Sequence, residues 1–213
     1  MEINVSIKMV AFDLVGTLVK GELFRDARNN LRFDVNQGWQ EAQNASGFNV
    51  SFDYQAAFQT WLSMMLPVKL HEQFRDYLVK HVTDKEYLYD DVSTLGDLKK
   101  KGIILGFVTD GSNDIERKMI EKILQHCGIE PSDCIIVTGE DVKGDKESLK
   151  PFHRLIEIAA AQGISHAEII FVGDHPDKDY GCAQKAELIP RLICREKRCD
   201  FEIMSLDELL KNI

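Results

Sequence analysis

Asp13 ends the apolar run Met9-Val10-Ala11-Phe12 and leads into Leu14-Val15-Gly16-Thr17-Leu18. An acid at the C-terminal tip of a buried strand, followed by a Gly-Thr turn, stands where an open α/β sheet places its chemistry. A carboxylate in that position can attack as a nucleophile or hold a metal ion. Two residues on, the side chain of Val15 cannot move a proton, so the same turn lacks a general acid/base.

Three further groups stand at or just beyond strand-like runs. Thr109-Asp110-Gly111 follows residues 103–108. Lys150 directly precedes Pro151, after residues 134–137. Gly173-Asp174, with Asp177 and Asp179 beyond, follows residues 169–172. Neighbouring parallel strands bring their C-terminal ends together, so these groups are expected to meet in one crevice. Asp13 and Asp174 suit a hard divalent cation such as Mg²⁺, which takes few protein oxygens and keeps waters. Thr109 brings a hydroxyl and adjacent backbone N–H groups, and Lys150 a fixed positive charge. With the cation they would surround an anion, as phosphoryl transfer requires. Gly111 and His175 are expected to line the substrate. Lys143 and Lys146 compete with Lys150 for the cationic role, and the Pro151 context favours Lys150. Asp179 reads either as a helix cap or as support for a metal ligand.

The elements that must position these groups alternate along the chain. Strand-like runs at 7–12, 103–108, 134–137, 169–172 and, more weakly, 191–194 are too continuously apolar for a half-exposed sheet. Between them, Ser112-Asn113-Asp114 offers N-caps for a helix closed by Gly128. Pro151 fits a first helical turn, and Gly163 ends that helix. Ser205-Leu206-Asp207-Glu208 reads as a capping box for a C-terminal helix. The alternation predicts a doubly wound α/β fold with a parallel sheet. Residues 20–84 interrupt it with helical stretches at 56–65 and 71–81 separated by Pro67, and with Trp39 and Trp61. The expected organisation is therefore an α/β core of residues 1–19 and 85–213 carrying a helical insertion at 20–84.

Taken together, the four groups resemble the haloacid dehalogenase superfamily over nearly the whole chain. Residues 13–17 match its first motif, Asp-x-Asp-Gly-Thr, except at Val15. Thr109 is similar to the second motif, Lys150 with Pro151 to the third, and Gly173-Asp174 with Asp179 to the fourth. The insertion is similar to the family's helical cap. The resemblance implies a Rossmann-like core and a hydrolase that forms an aspartyl-phosphate on Asp13. It implies metal ligation by Asp13, the Val15 carbonyl and Asp174, with Asp179 in support. The missing acid/base at Val15 would cost about 10²–10⁴-fold in rate unless the leaving group is a weak base or another group, such as His175, shuttles the proton.

Composition excludes several other classes. A net charge of −9 over 213 residues argues against a nucleic-acid surface. No apolar run reaches the roughly 20 residues that span a bilayer. The N-terminus lacks a basic start and apolar stretch, so a cytoplasmic protein is expected. Five cysteines without a Cys-x-x-Cys pair read as structural filler. The leading expectation is a Mg²⁺-dependent phosphatase of a small phosphorylated metabolite. The alternatives are an inactive binding or regulatory protein, supported by Val15, or other chemistry of the same family. Haloacid hydrolysis in that family uses a metal-free fourth motif and a cap arginine, for which Arg25, Arg28 and Arg32 are present. Phosphonate hydrolysis needs a cap lysine, chiefly Lys69 here, with Lys20 and Lys80 nearer the edges. Substrate identity and oligomeric state have no signature in the sequence.

Overall fold

The computed structural model describes residues 6–30, 68–195 and 203–211. Five short strands form one sheet: β1 (Met9–Phe12), β2 (Ile104–Thr109), β3 (Ile135–Thr138), β4 (Ile169–Gly173) and β5 (Ile189–Leu192). Their order is β3-β2-β1-β4-β5 and every pairing is parallel. The central strands are apolar throughout because each face meets its own core. Val10, Phe12, Phe107 and Val172 point into one buried cluster. Met9, Ala11, Val137 and Phe171 point into the other, under Phe152 and Leu155.

Register levels the strand ends. Phe12 pairs with Phe107 on one side and Val172 on the other. Asp13, Thr109 and Gly173-Asp174 therefore leave the sheet along one edge, at the point where chain order reverses about β1. The fifth strand differs from the expected 191–194, because Gly173 pairs with Leu192 and fixes it at 189–192. Pro190 within it lacks an N–H, which an edge strand tolerates.

Helices α1 (Glu22–Asn30), α2 (Val68–His81) and α3 (Thr94–Lys100) lie between β1 and β2, and α4 (Lys118–His126), α5 (Gly139–Val142), α6 (Lys150–Ala160), α7 (Cys182–Lys185) and α8 (Leu206–Leu210) follow. Ser112 caps as expected, accepting from Ile115 N at 3.3 Å, but the first turn, Asn113–Arg117, is a wide π-type turn before α4 begins. Gly128, at φ +70°, follows α4, and Pro151 occupies the first turn of α6. The expected capping box at Ser205 does not form: its side chain makes no cap bond, and Glu208 accepts instead from Met204 N at 3.3 Å. Cys182 is buried, whereas Cys127, Cys134 and Cys194 are half-buried thiols.

The predicted stretch 71–81 lies within α2, which starts directly after Pro67. The stretch 56–65, both tryptophans and Arg32 lie outside the described residues. Phe24 of α1 meets Phe74 of α2 edge-on, ring centres 6.4 Å apart. Leu23, Ala27, Phe74 and Leu78 continue the cluster that covers β1, so these helices share the core's apolar interior. The chain just after β1 and the chain just before α3 are bonded to each other. Val19 bridges Leu88 antiparallel, Lys20 N donates to Tyr87 O at 2.7 Å, and Tyr89 N donates to Leu18 O at 3.2 Å. Among the described residues no helix is long and apolar enough to cross a membrane.

Candidate active site

Asp13 is held where β1 ends by its own backbone: its N–H donates to Val172 O at 2.8 Å, between β1 and β4. The residue is 8% exposed, and its carboxylate accepts from Lys146 Nζ. Lys146 Nζ also donates to Asp179 Oδ1 at 2.7 Å. Carboxylate oxygens of Asp13, Asp174 and Asp179 all lie within 4.8 Å of one another, with Asp174 on the solvent side. Residues far apart in sequence thus share one spot at the C-terminal edge of the sheet.

Two glycines make that closeness possible. Gly16 has φ +89°, and a Cβ there would lie 2.1 Å from Asp174 Oδ2. A Cβ on Gly173 would lie 2.4 Å from the Asp179 side chain. Asp179 itself is fully engaged, its Oδ2 accepting from His175 N at 2.9 Å while Oδ1 takes Lys146. It orients its neighbours and has no oxygen left without a protein donor.

The lysine that contacts Asp13 is Lys146, whereas the sequence favoured Lys150. Lys150 begins α6 with its side chain exposed, and its Nζ donates to Lys143 O at 3.1 Å, away from Asp13. Lys146, 3% exposed, is turned inward by the loop before α6. Left-handed residues Lys143 (φ 49°) and Leu149 (φ 62°) bracket that loop, and Lys146 N donates to Asp110 Oδ1 at 2.7 Å. Asp110 is therefore the anchor of the lysine loop. Lys143 is exposed.

Thr109 is buried at the tip of β2, and its hydroxyl oxygen accepts from Gly111 N at 3.3 Å. Gly111 is needed for a different close approach: a Cβ there would lie 1.9 Å from Glu116 Cδ. The Glu116 carboxylate closes the turn, accepting from Ser112 N at 2.6 Å. The exposed His175 ring caps the following turn, its Nδ1 accepting from Asp177 N at 3.3 Å and Lys178 N at 3.2 Å. The half-buried Val15 side chain packs against the main core cluster.

Electrostatics follow from three carboxylates crowded about one ammonium. Burial pushes the Asp13 carboxyl up, to about 8, against the pull of Lys146 and with the push of Asp179 and Asp174. Burial and Asp179 likewise raise Asp174. Burial alone would lower Lys146, but Asp13, Asp179 and Asp110 together hold it above its ordinary value, so it stays cationic. The cluster carries more negative charge than its lysine neutralises. A hard, oxygen-only donor set with surplus charge fits a small divalent cation.

The sequence profile of the haloacid dehalogenase-like hydrolases matches residues 7–187. The chain belongs to this hydrolase family. Among curated relatives, the glyceraldehyde 3-phosphate phosphatase of Methanopyrus kandleri is 34% identical over 132 residues, 61% of this chain and 54% of that protein. The enzyme of the same name from Methanocaldococcus jannaschii is 32% identical over 127 residues, covering 56% and 53%. The chain spans about half the length of the curated relatives it matches. Among solved structures, a HAD phosphatase from Thermococcus onnurineus superposes with a TM-score of 0.65 at 23% identity, covering 97% of each chain. A 2-haloacid dehalogenase from Pseudomonas syringae gives 0.67 at 20% identity, covering 96% and 97%. At such identities these two share the fold with this hydrolase and nothing narrower.

Proposed function

We propose that the protein is a Mg²⁺-dependent phosphatase of a small phosphorylated metabolite, with Asp13 as nucleophile, Thr109 and Lys146 binding the phosphoryl group, and residues 20–84 acting as cap. The observation that carries this reading is the cluster itself. Asp13 is buried against a charged lysine, at the same sheet edge as Thr109, and within 4.8 Å of two more carboxylates. The phosphatase names of both curated relatives support a phosphorylated substrate, and a phosphorylated three-carbon aldehyde belongs first in any screen.

Asp13 and Asp174, with the Val15 carbonyl oxygen, would hold the cation. Bound there, Mg²⁺ would supply charge neutralisation for the phosphoryl oxygens and the attacking carboxylate. Lys146 keeps Asp13 aimed and contributes a second positive charge against the transferring group. Asp13 attacks phosphorus, the bond to the leaving oxygen breaks, and water later cleaves the aspartyl-phosphate. Val15 gives no proton to the departing oxygen. The first step is therefore expected to favour leaving groups that are weak bases, such as acyl and aryl phosphates.

The test is a screen of phosphorylated trioses, acyl phosphates and an aryl phosphate, with Mg²⁺ or a chelator, on wild type and Asp13→Asn. Acid quench of turning-over wild type is expected to trap a phosphorylated peptide containing residue 13. Turnover that survives Asp13→Asn would refute the nucleophile. Tight Mg²⁺ binding with no turnover of any compound would favour the alternative that Val15 supports, a binding protein on the same fold.

A further inference from the structure

Arg195 lies three residues beyond β5, where the chain is held by Ile193 N donating to Gly173 O at 2.8 Å and Cys194 N to Ile203 O at 2.9 Å. Its guanidinium reaches both crossings between the sheet and the insertion. Nη2 donates to Thr17 O, on the turn that follows the nucleophile. Nη1 donates to Asp91 Oδ2 at 2.6 Å, just past the return crossing. The guanidinium carbon sits 4.0 Å from the centre of the Tyr89 ring, within that crossing. Asp91 Oδ2 also accepts from Leu206 N at 2.7 Å, which ties in α8.

This ion pair is a poor device for stability. The Arg195 and Asp91 side chains are only 14% and 9% exposed, so both charges lose most of their hydration. Three buried polar atoms of the same group, Arg195 Nε, Asp91 Oδ1 and Thr17 Oγ1, find no partner among the described residues. A buried pair with imperfectly satisfied atoms recovers less than its desolvation costs, and apolar replacements are often as stable or more so. What the pair does supply is direction. The planar fork fixes Thr17 relative to Asp91, and stacking on Tyr89 fixes the plane of the fork. A lysine offers neither.

We propose that Arg195 is a positioning residue for the nucleophile turn, setting where residues 13–17 lie relative to the crossing at 89–91. The inference goes beyond the phosphatase reading and rests only on Asp13 being the reacting group. A displacement of about 1 Å at a nucleophile costs about 10²-fold in rate, so a side chain that never touches substrate can govern turnover.

The experiment compares wild type with Arg195→Lys and with the paired replacement Arg195→Met, Asp91→Leu. Amide hydrogen exchange of the peptide spanning residues 14–19 is read against β2 as internal reference. Both variants are expected to exchange at least about tenfold faster at 14–19, with β2 unchanged. With an aryl phosphate and Mg²⁺, kcat is expected to fall about 10–100-fold while KM stays within about threefold. Wild-type exchange at 14–19 in Arg195→Lys would overturn the proposal, as would unchanged kcat in a folded variant. If the paired variant does not fold, Arg195→Lys decides alone. If wild type turns over no phosphate, exchange still decides the positioning role, while the phosphatase reading fails separately.

Discussion

Asp174 closes directly over the backbone of Gly16, so near that a Cβ on residue 16 would lie 2.1 Å from Asp174 Oδ2. The glycine serves twice, since its φ of +89° is also costly for any other residue. Gly16→Ala is therefore expected to push Asp174 away from Asp13 without removing a ligand. Backbone strain should cost about 1–3 kcal/mol of stability. Calorimetric titration with Mg²⁺ is expected to show at least about a tenfold weaker site, in the range a disturbed ligand support produces.

Lys146 and Lys150 should separate cleanly. Lys146→Met leaves Asp13 and Asp179 buried without their cation, which should destabilise by about 3–5 kcal/mol in urea unfolding without metal. Mg²⁺ is expected to restore part of that loss by linkage. Turnover should drop by at least about 10²-fold. Lys150→Met removes only an exposed bond to Lys143 O and should stay within about 0.5 kcal/mol and close to wild-type activity.

Val15→Asp places a proton donor on the nucleophile turn. For alkyl phosphates, whose leaving oxygen needs a proton, kcat/KM should rise by about 10²–10⁴-fold. For aryl phosphates the gain should be much smaller. A plot of log kcat/KM against leaving-group pKa is expected to be steep in wild type and shallow in the variant. Equal slopes would mean that another group already delivers the proton.

Acid stability offers a check at a carboxylate outside the Asp13 cluster. Burial pushes Asp141 up, but Thr138 N at 2.9 Å, the Asn113 amide and Arg117 outweigh it and hold its carboxyl below the usual range. A folded-state pKa below the unfolded one contributes stability above the unfolded value and loses it as pH falls through the folded one. Asp141→Asn should therefore be less stable than wild type at neutral pH, and the gap should close below about pH 4. Urea midpoints measured from neutral pH downward test this.

The parts of the site that the sequence disclosed are those where an apolar run ends on a polar residue. Asp13, Thr109 and Asp174 each sit at such an end, and sheet register then brings them together. Lys146 was among the candidates but could not be singled out, for a physical reason. The lysines at 143, 146 and 150 share one loop, and what selects among them is the left-handed backbone at Lys143 and Leu149, both ordinary L-residues. The Pro151 signal correctly marked the start of α6, but a residue opening a helix there faces solvent. Arg195 and Asp91 gave no local sign at all, being 104 residues apart and joined only by the fold. The Gly173–Leu192 pairing moved β5 by two residues because hydrogen-bond register, unlike apolar content, is not written in composition.

The antiparallel bridge between Val19 and Leu88 makes the insertion a side branch on a doubled stem. Its entry and exit stand one strand spacing apart, about 4.8 Å, a gap that a tight turn can close. The branch is thus exchangeable without rethreading the sheet, provided its replacement again covers Leu14 and Leu18, which α1 and α2 help to shield. Changes in the length of that stretch can thus leave the strand ends that bear Asp13, Thr109 and Asp174 where they are.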